Sequence, residues 1–142
     1  MTSDADRIQD LLDREELGNL VAEIADCVDR KDFDGLSRVF AADATLETPG
    51  GVSTGAAAIV DLARRNHENY AQTQHLVAGT TIALHGDRAT VGANVVAVFV
   101  PNAGEPAVHR MIGCRYAFDA ARTTHGWRFT SQLITPIWDR HP

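Results

Sequence analysis

The hydrophobic residues of this chain change their spacing once, near residue 72, and do not change back. Before that point Ile8, Leu11, Leu12, Leu17, Leu20, Val21, Ile24 and Val28 recur three and four apart, the stripe of one long helix or of two in succession. Ser3 or Asp4 supplies its N-cap. A shorter helical piece follows, with Phe33, Leu36, Val39 and Phe40 as its buried side, and then a brief strand over 44–48 that ends at Pro49-Gly50-Gly51. Ser53 or Thr54 opens another helix over 55–69, in which Ile59, Leu62 and Ala63 face inward. Beyond residue 72 the pattern predicts four long strands, over 73–84, 88–100, 107–119 and 127–138. They are parted by His85-Gly86-Asp87, by Pro101-Asn102-Ala103-Gly104 and by residues 120–126. Helices first and strands after them predict an α+β fold, a cone-shaped α+β barrel with N-terminal helices packed in a curved, mostly antiparallel sheet. The concave side of such a sheet is a natural pocket.

Composition narrows what that pocket serves. At 142 residues, 44% hydrophobic and 23% charged, the chain is expected to form one domain over 1–142. Its net charge is −6 and its densest basic pair is Arg64-Arg65, so no nucleic acid partner is expected. The longest apolar run, Val95 to Val100, is too short for a bilayer, and no membrane partner is expected either. The polar, acidic start lacks the basic and apolar regions of a signal peptide, and Cys27 and Cys114 form no C-x-x-C. A reducing, cytoplasmic setting follows. There is no phosphate-binding glycine loop, no H-E-x-x-H and no G-x-S-x-G, and the six histidines lack the close spacing of a local metal site. With no metal and no cofactor expected, acid/base chemistry on a small molecule is what remains.

Two residues are the first candidates for it. His75 is the most polar point of an apolar strand and by alternation shares a face with Val77, Gly79 and Thr81, so it points inward if Val77 does. A pocket histidine passes protons in both directions; a core histidine held by a backbone carbonyl fits the same pattern. Asp29 ends the long helix beside Val28, at the edge of the apolar stripe. There it either faces water or enters the pocket mouth and orients a histidine. Asn94, Arg110 and Tyr116 are candidate oxyanion donors if they face inward, and Gln132 is a possible partner for a ligand oxygen. Tyr70, Tyr116, Trp127 and Trp138 also read as packing residues.

Three segments carry a family resemblance: Val28-Asp29-Arg30-Lys31-Asp32-Phe33-Asp34, Thr73-Gln74-His75-Leu76-Val77-Ala78-Gly79-Thr80, and Trp127-Arg128-Phe129 with Trp138. Together with the order of elements they resemble the SnoaL-like branch of the nuclear transport factor 2-like superfamily, and the scytalone dehydratases in particular. The resemblance spans Ile8 to Trp138. It implies that Asp29 and His75 stand at the positions of a catalytic, hydrogen-bonded pair on the pocket floor. It also marks departures. Val28 and Thr48 stand where those dehydratases carry two water-holding tyrosines, Phe99 or Val100 where they carry a second histidine, and Cys114 where they carry a pocket asparagine. The resemblance therefore implies a dehydratase, isomerase or cyclase acting on a small, mostly apolar carbonyl or hydroxyl compound other than scytalone.

A binding module, or the accessory subunit of a larger enzyme, is the rival reading, and a plain dimerisation domain a third. Self-association as a homodimer or homotrimer is expected in each case, through a convex face carrying Phe129, Leu133, Ile134 and Ile137.

Overall fold

Residues Asp4–Asp29 form one continuous helix, α1, in the computed structural model, which describes residues 1–142. Its start is a capping box: the Ser3 hydroxyl accepts the Asp6 N–H at 3.1 Å, and the Asp6 carboxylate accepts the Ser3 N–H at 3.2 Å. At its end the chain reverses through Lys31, at φ 59°, with the Lys31 N–H on the Val28 carbonyl and the Asp32 N–H on that of Cys27. The buried stripe runs through Leu17, Leu20, Val21, Ile24, Cys27 and Val28 but opens on a charge, Asp13. Ile8, Leu11 and Leu12, expected in the stripe, are exposed. The first α1 side chains to bond the sheet are Asp13 and Arg14, the latter donating to the Ile82 carbonyl at 2.8 Å.

A 3₁₀ turn over Phe33–Arg38 leads into strand β1, Phe40–Thr48, which pairs with a short β2, Gly51–Thr54. The expected helix start at Ser53 or Thr54 is therefore strand, and α2, Ala56–His67, begins instead after Gly55, whose φ of 96° turns the chain without a side-chain cap. Four long strands follow: β3, Gln72–His85; β4, Arg88–Val100; β5, Arg110–Thr123; β6, Gly126–Arg140. They form one open sheet in the order β2-β1-β6-β5-β4-β3, in which only β1 and β6 run parallel.

Register shifts decide which side chains face the helices. In β3 the pairing runs from Ala78↔Asn94 to Thr81↔Gly92, so three steps on β3 match two on β4, and Gly79 takes a φ of 62°. Thr73, His75 and Val77 face inward before this bulge, but Ile82 and Leu84 do so after it, and Thr81 does not share the His75 face. In β6 the register slips between Phe129 and Ser131 and again between Pro136 and Trp138. Trp127 and Phe129 point in, then Gln132, Ile134 and Pro136. Phe129 and Ile134, expected on the convex face, are thus interior residues. Leu133 and Ile137 remain outside with Leu76 and Trp138.

One end of the concave side is packed solid. Phe118 stacks on Phe129 at 4.0 Å between ring centroids, beside a fully buried Trp127. Asp13 reaches into this end. Its two oxygens take both Arg122 terminal nitrogens at 2.8 Å, and one also accepts the Trp127 indole N–H at 3.0 Å and the Gln9 amide at 3.0 Å. No helix is long and apolar enough to cross a membrane.

Asp13→Ala leaves the Trp127 N–H without its acceptor and the Arg122 guanidinium with Asp87 alone, and is expected to cost about 1–3 kcal/mol, read as a lower denaturation midpoint. The Arg122 hydrogen bonds hold the Asp13 carboxyl well below the usual carboxylate range. Its contribution is therefore complete at neutral pH and fades as pH falls below about 4, toward the folded-state value. Acid titration of the midpoint should show this loss in the wild type and not in the variant.

Candidate active site

Between the helices and the unfilled part of the concave face lies a mostly apolar cavity of about 220 Å³. Of the two leading candidates, His75 lines it, and Asp29 does not but stands directly behind the His75 ring. Asp29 is the last residue of α1, and β3 starts beside it because Lys31 donates to the carbonyls of Glu68 (3.1 Å) and Tyr70 (2.6 Å), fixing the segment that enters the strand. The Asp29 carboxylate then accepts three groups of β3. One oxygen takes the Thr73 hydroxyl at 2.9 Å and His75 Nδ1 at 2.7 Å; the other takes the His75 backbone N–H at 2.8 Å.

Burial by itself would raise the Asp29 carboxyl, but the hydrogen bonds from the His75 ring, the His75 backbone and Thr73 outweigh it and hold the group below its ordinary value. An ionised carboxylate only accepts, so Nδ1 of His75 carries the proton, and in the neutral ring Nε2 keeps its lone pair. The His75 side chain is 7% exposed and lines the cavity. The arrangement is chemically a base with a fixed tautomer and a countercharge behind it.

A second imidazole lies against the first. His67, on the last turn of α2, has its ring centroid 5.4 Å from that of His75 and stacks on Phe99 at 5.6 Å. Its Nδ1 donates to the Ala63 carbonyl at 2.7 Å, and burial pushes its pKa down, which keeps it neutral. Bound in that tautomer, His67 has no Nε2 proton to give. Its position was open to a reading of α2, since it follows the inward Ala63 by one turn. Thr73 was likewise open to one, two residues before His75 on the same face. Neither was singled out, because Thr and His also suit strand and helix surfaces.

The remaining candidates divide. Cys114 and Tyr116 line the cavity, and burial raises the pKa of both, so thiol and phenol stay protonated. Asn94 does not line it: Ala93 and Val95 on either side are buried inward, so the intervening side chain points to the convex face. Arg110 lies at the rim rather than in the cavity, held by Asp139 at 3.0 and 2.6 Å, and that carboxylate raises its pKa further. Val28, Thr48 and Phe99 line the cavity, and Val100 does not. Gln132 is buried there as well.

Residues 9–132 match the SnoaL-like domain family, and the chain belongs to it. An uncharacterised protein of Mycobacterium tuberculosis, Rv2910c, is 26% identical over 94% of this chain and 91% of its own. Among solved structures, the Kfla4162 protein of Kribbella flavida superposes with a TM-score of 0.82 at 27% identity, covering 91% of this chain and 93% of that one. A putative scytalone dehydratase from Novosphingobium aromaticivorans gives 0.83 at 15% identity, over 94% and 89%. The hexachlorocyclohexane dehydrochlorinase LinA-type3 from Novosphingobium barchaimii gives 0.80 at 18% identity, over 97% and 93%. At these identities the last two are likenesses of fold. A structure from the nuclear transport factor 2-like superfamily itself, from Salmonella enterica, gives 0.80.

Nitrogen-15 NMR of the neutral His75 ring, recorded at alkaline pH, should show a protonated Nδ1 and an unprotonated Nε2. Asp29→Asn is expected to mix the two tautomers, because the ionised acceptor that selects one of them is gone. An unchanged spectrum would show that Asp29 does not set the ring.

Proposed function

We propose that the protein is a cofactor-independent acid/base enzyme, a lyase of the dehydratase type or an isomerase or cyclase, in which His75 and Asp29 act on a small, largely apolar carbonyl or hydroxyl compound. The observation that carries this reading is the 2.7 Å contact between His75 Nδ1 and an ionised Asp29 at the wall of an apolar cavity. His75 Nε2 takes the proton α to a carbonyl while Asp29 offsets the charge that forms on the ring. In a dehydration, the C–H electron pair becomes the new double bond as the β C–O bond breaks, and the departing hydroxide takes the proton back from His75 as water. In an isomerisation or ring closure the same proton returns to carbon or to oxygen instead.

Among the candidate oxyanion donors, Tyr116 alone combines a cavity position with a hydroxyl that burial keeps protonated. His67, fixed as an acceptor, leaves His75 as the group that returns the proton. The dehydratase and dehydrochlorinase names of two structural relatives both denote eliminations, in support of this chemistry. With Val28 and Thr48 lining the cavity, scytalone is not the substrate we propose. The reading takes residues 1–142 as one such domain, in line with a single buried cluster of 21 residues, working in a reducing cytoplasm that suits two buried free thiols.

Incubated in D₂O with 3-hydroxycyclohexanone, the wild type is expected to exchange the α-protons or release cyclohexenone, both visible by proton NMR. His75→Ala should lower either rate by about 10²–10⁴. Equal rates in the two proteins would sink the proposal. A homodimer or homotrimer is proposed to cover Leu76, Leu133, Ile137 and Trp138. Sedimentation should give a multiple of the 15.4 kDa chain mass, and Leu133→Glu should return it to one; a wild-type monomer would contradict this.

A further inference from the structure

We infer that Gln132 and Tyr116 together form the oxygen-binding end of the cavity, which selects a neutral ketone over its oxygen-free analogue. This deepens the acid/base reading above by naming the group that orients the substrate. Gln132 is 3% exposed, and its amide has no hydrogen-bond partner within the chain, nor does the Tyr116 hydroxyl. Every fully occluded side-chain nitrogen and oxygen does have a partner, so these two groups open on the cavity they line.

They are also neighbours. Tyr116 pairs across the sheet with Ile134, and Gln132 lies two residues from Ile134 on the same inward face. That is the diagonal relation, about 7–8 Å between backbones and within reach of a phenol and a long amide. An amide and a hydroxyl that open on the same cavity and are not bonded to each other are free to take a ligand oxygen as their partner. Between them they offer three donor hydrogens, and a carbonyl oxygen accepts two.

The occupant is a neutral oxygen rather than a carboxylate. No Lys or Arg lines the cavity, and Arg110, at the rim, is already paired with Asp139, so a buried anion would have no countercharge. A ketone oxygen held here acquires negative charge only when His75 removes the α-proton, and both donors then bind it more tightly.

The test compares acetophenone with ethylbenzene, which has the same skeleton without the oxygen, as probes of the labelled wild type and Gln132→Leu, titrated by nitrogen-15 correlation NMR. Acetophenone should shift the Gln132 side-chain amide signals, and Gln132→Leu should weaken its binding roughly tenfold while leaving ethylbenzene unchanged. Binding of acetophenone to the variant within twofold of wild type, or no acetophenone binding to wild type, overturns the inference. Because Leu removes an unpartnered amide of similar size, the thermal midpoint should hold or rise. A fall of several degrees would identify Gln132 as a structural group and overturn the inference equally. Binding involves no proton transfer, so this assay reads the oxygen site whether or not His75 turns a substrate over.

Discussion

Helix α1 is held to the sheet by a carboxylate at each end of its buried stripe, and the placement of everything else follows from that. Asp13 grips Arg122 and Trp127 at the packed end; Asp29 grips Thr73 and His75 at the open end. Between them the apolar stripe supplies most of the burial, but apolar contact is non-directional and would let the helix slide or rotate. Hydrogen bonds to ionised oxygens are directional, and leaving one unmade in a dry interior is costly. The same restraint that fixes the helix therefore fixes the tautomer of His75.

The two carboxylates differ in what remains free beside them. At Asp13 every donor is consumed by the fold, so the network is structural. At Asp29 the ring it holds keeps one nitrogen for the cavity. An apolar cavity magnifies that difference, because the few polar groups that open on it interact more strongly where the surroundings are of low dielectric. The polar groups there are few and separated by aliphatic and aromatic wall, which suits a ligand with a single oxygen function on a hydrophobic body.

The departures from the scytalone dehydratase pattern have a coherent physical sense. Val28, Thr48 and Phe99 take away groups that would hold a water or share a proton and put hydrocarbon or a short hydroxyl in their place. His67 comes in from the helix side, stacked on Phe99, yet its proton is committed to the Ala63 carbonyl. The result is a pocket in which two imidazoles present an unprotonated Nε2, and only that of His75 has a carboxylate behind it.

Much of this was legible in the sequence. The change of hydrophobic period marked where helices end and strands begin, and hence the α+β fold, because burying one face imposes 3.6-residue or two-residue spacing wherever it occurs. His75 and Asp29 stood out as polar residues at the edges of apolar patterns, and the family resemblance joined them. Tertiary structure alone decided the rest. Alternation identifies a face only while the ladder is unbroken, and the bulge at Gly79 and the first slip in β6 each reverse it, which put Thr81 outside and Phe129 inside; Ile134 is inside by plain alternation with its exposed neighbour Leu133. Asn94 and Gln132 looked alike as single amides in apolar strands; alternation between buried Ala93 and Val95 put the one outside, and the register of β6 put the other over the cavity. The burial of Asp13 has no mark in the sequence, because the arginine that makes it tolerable is 109 positions away, a distance closed only by folding.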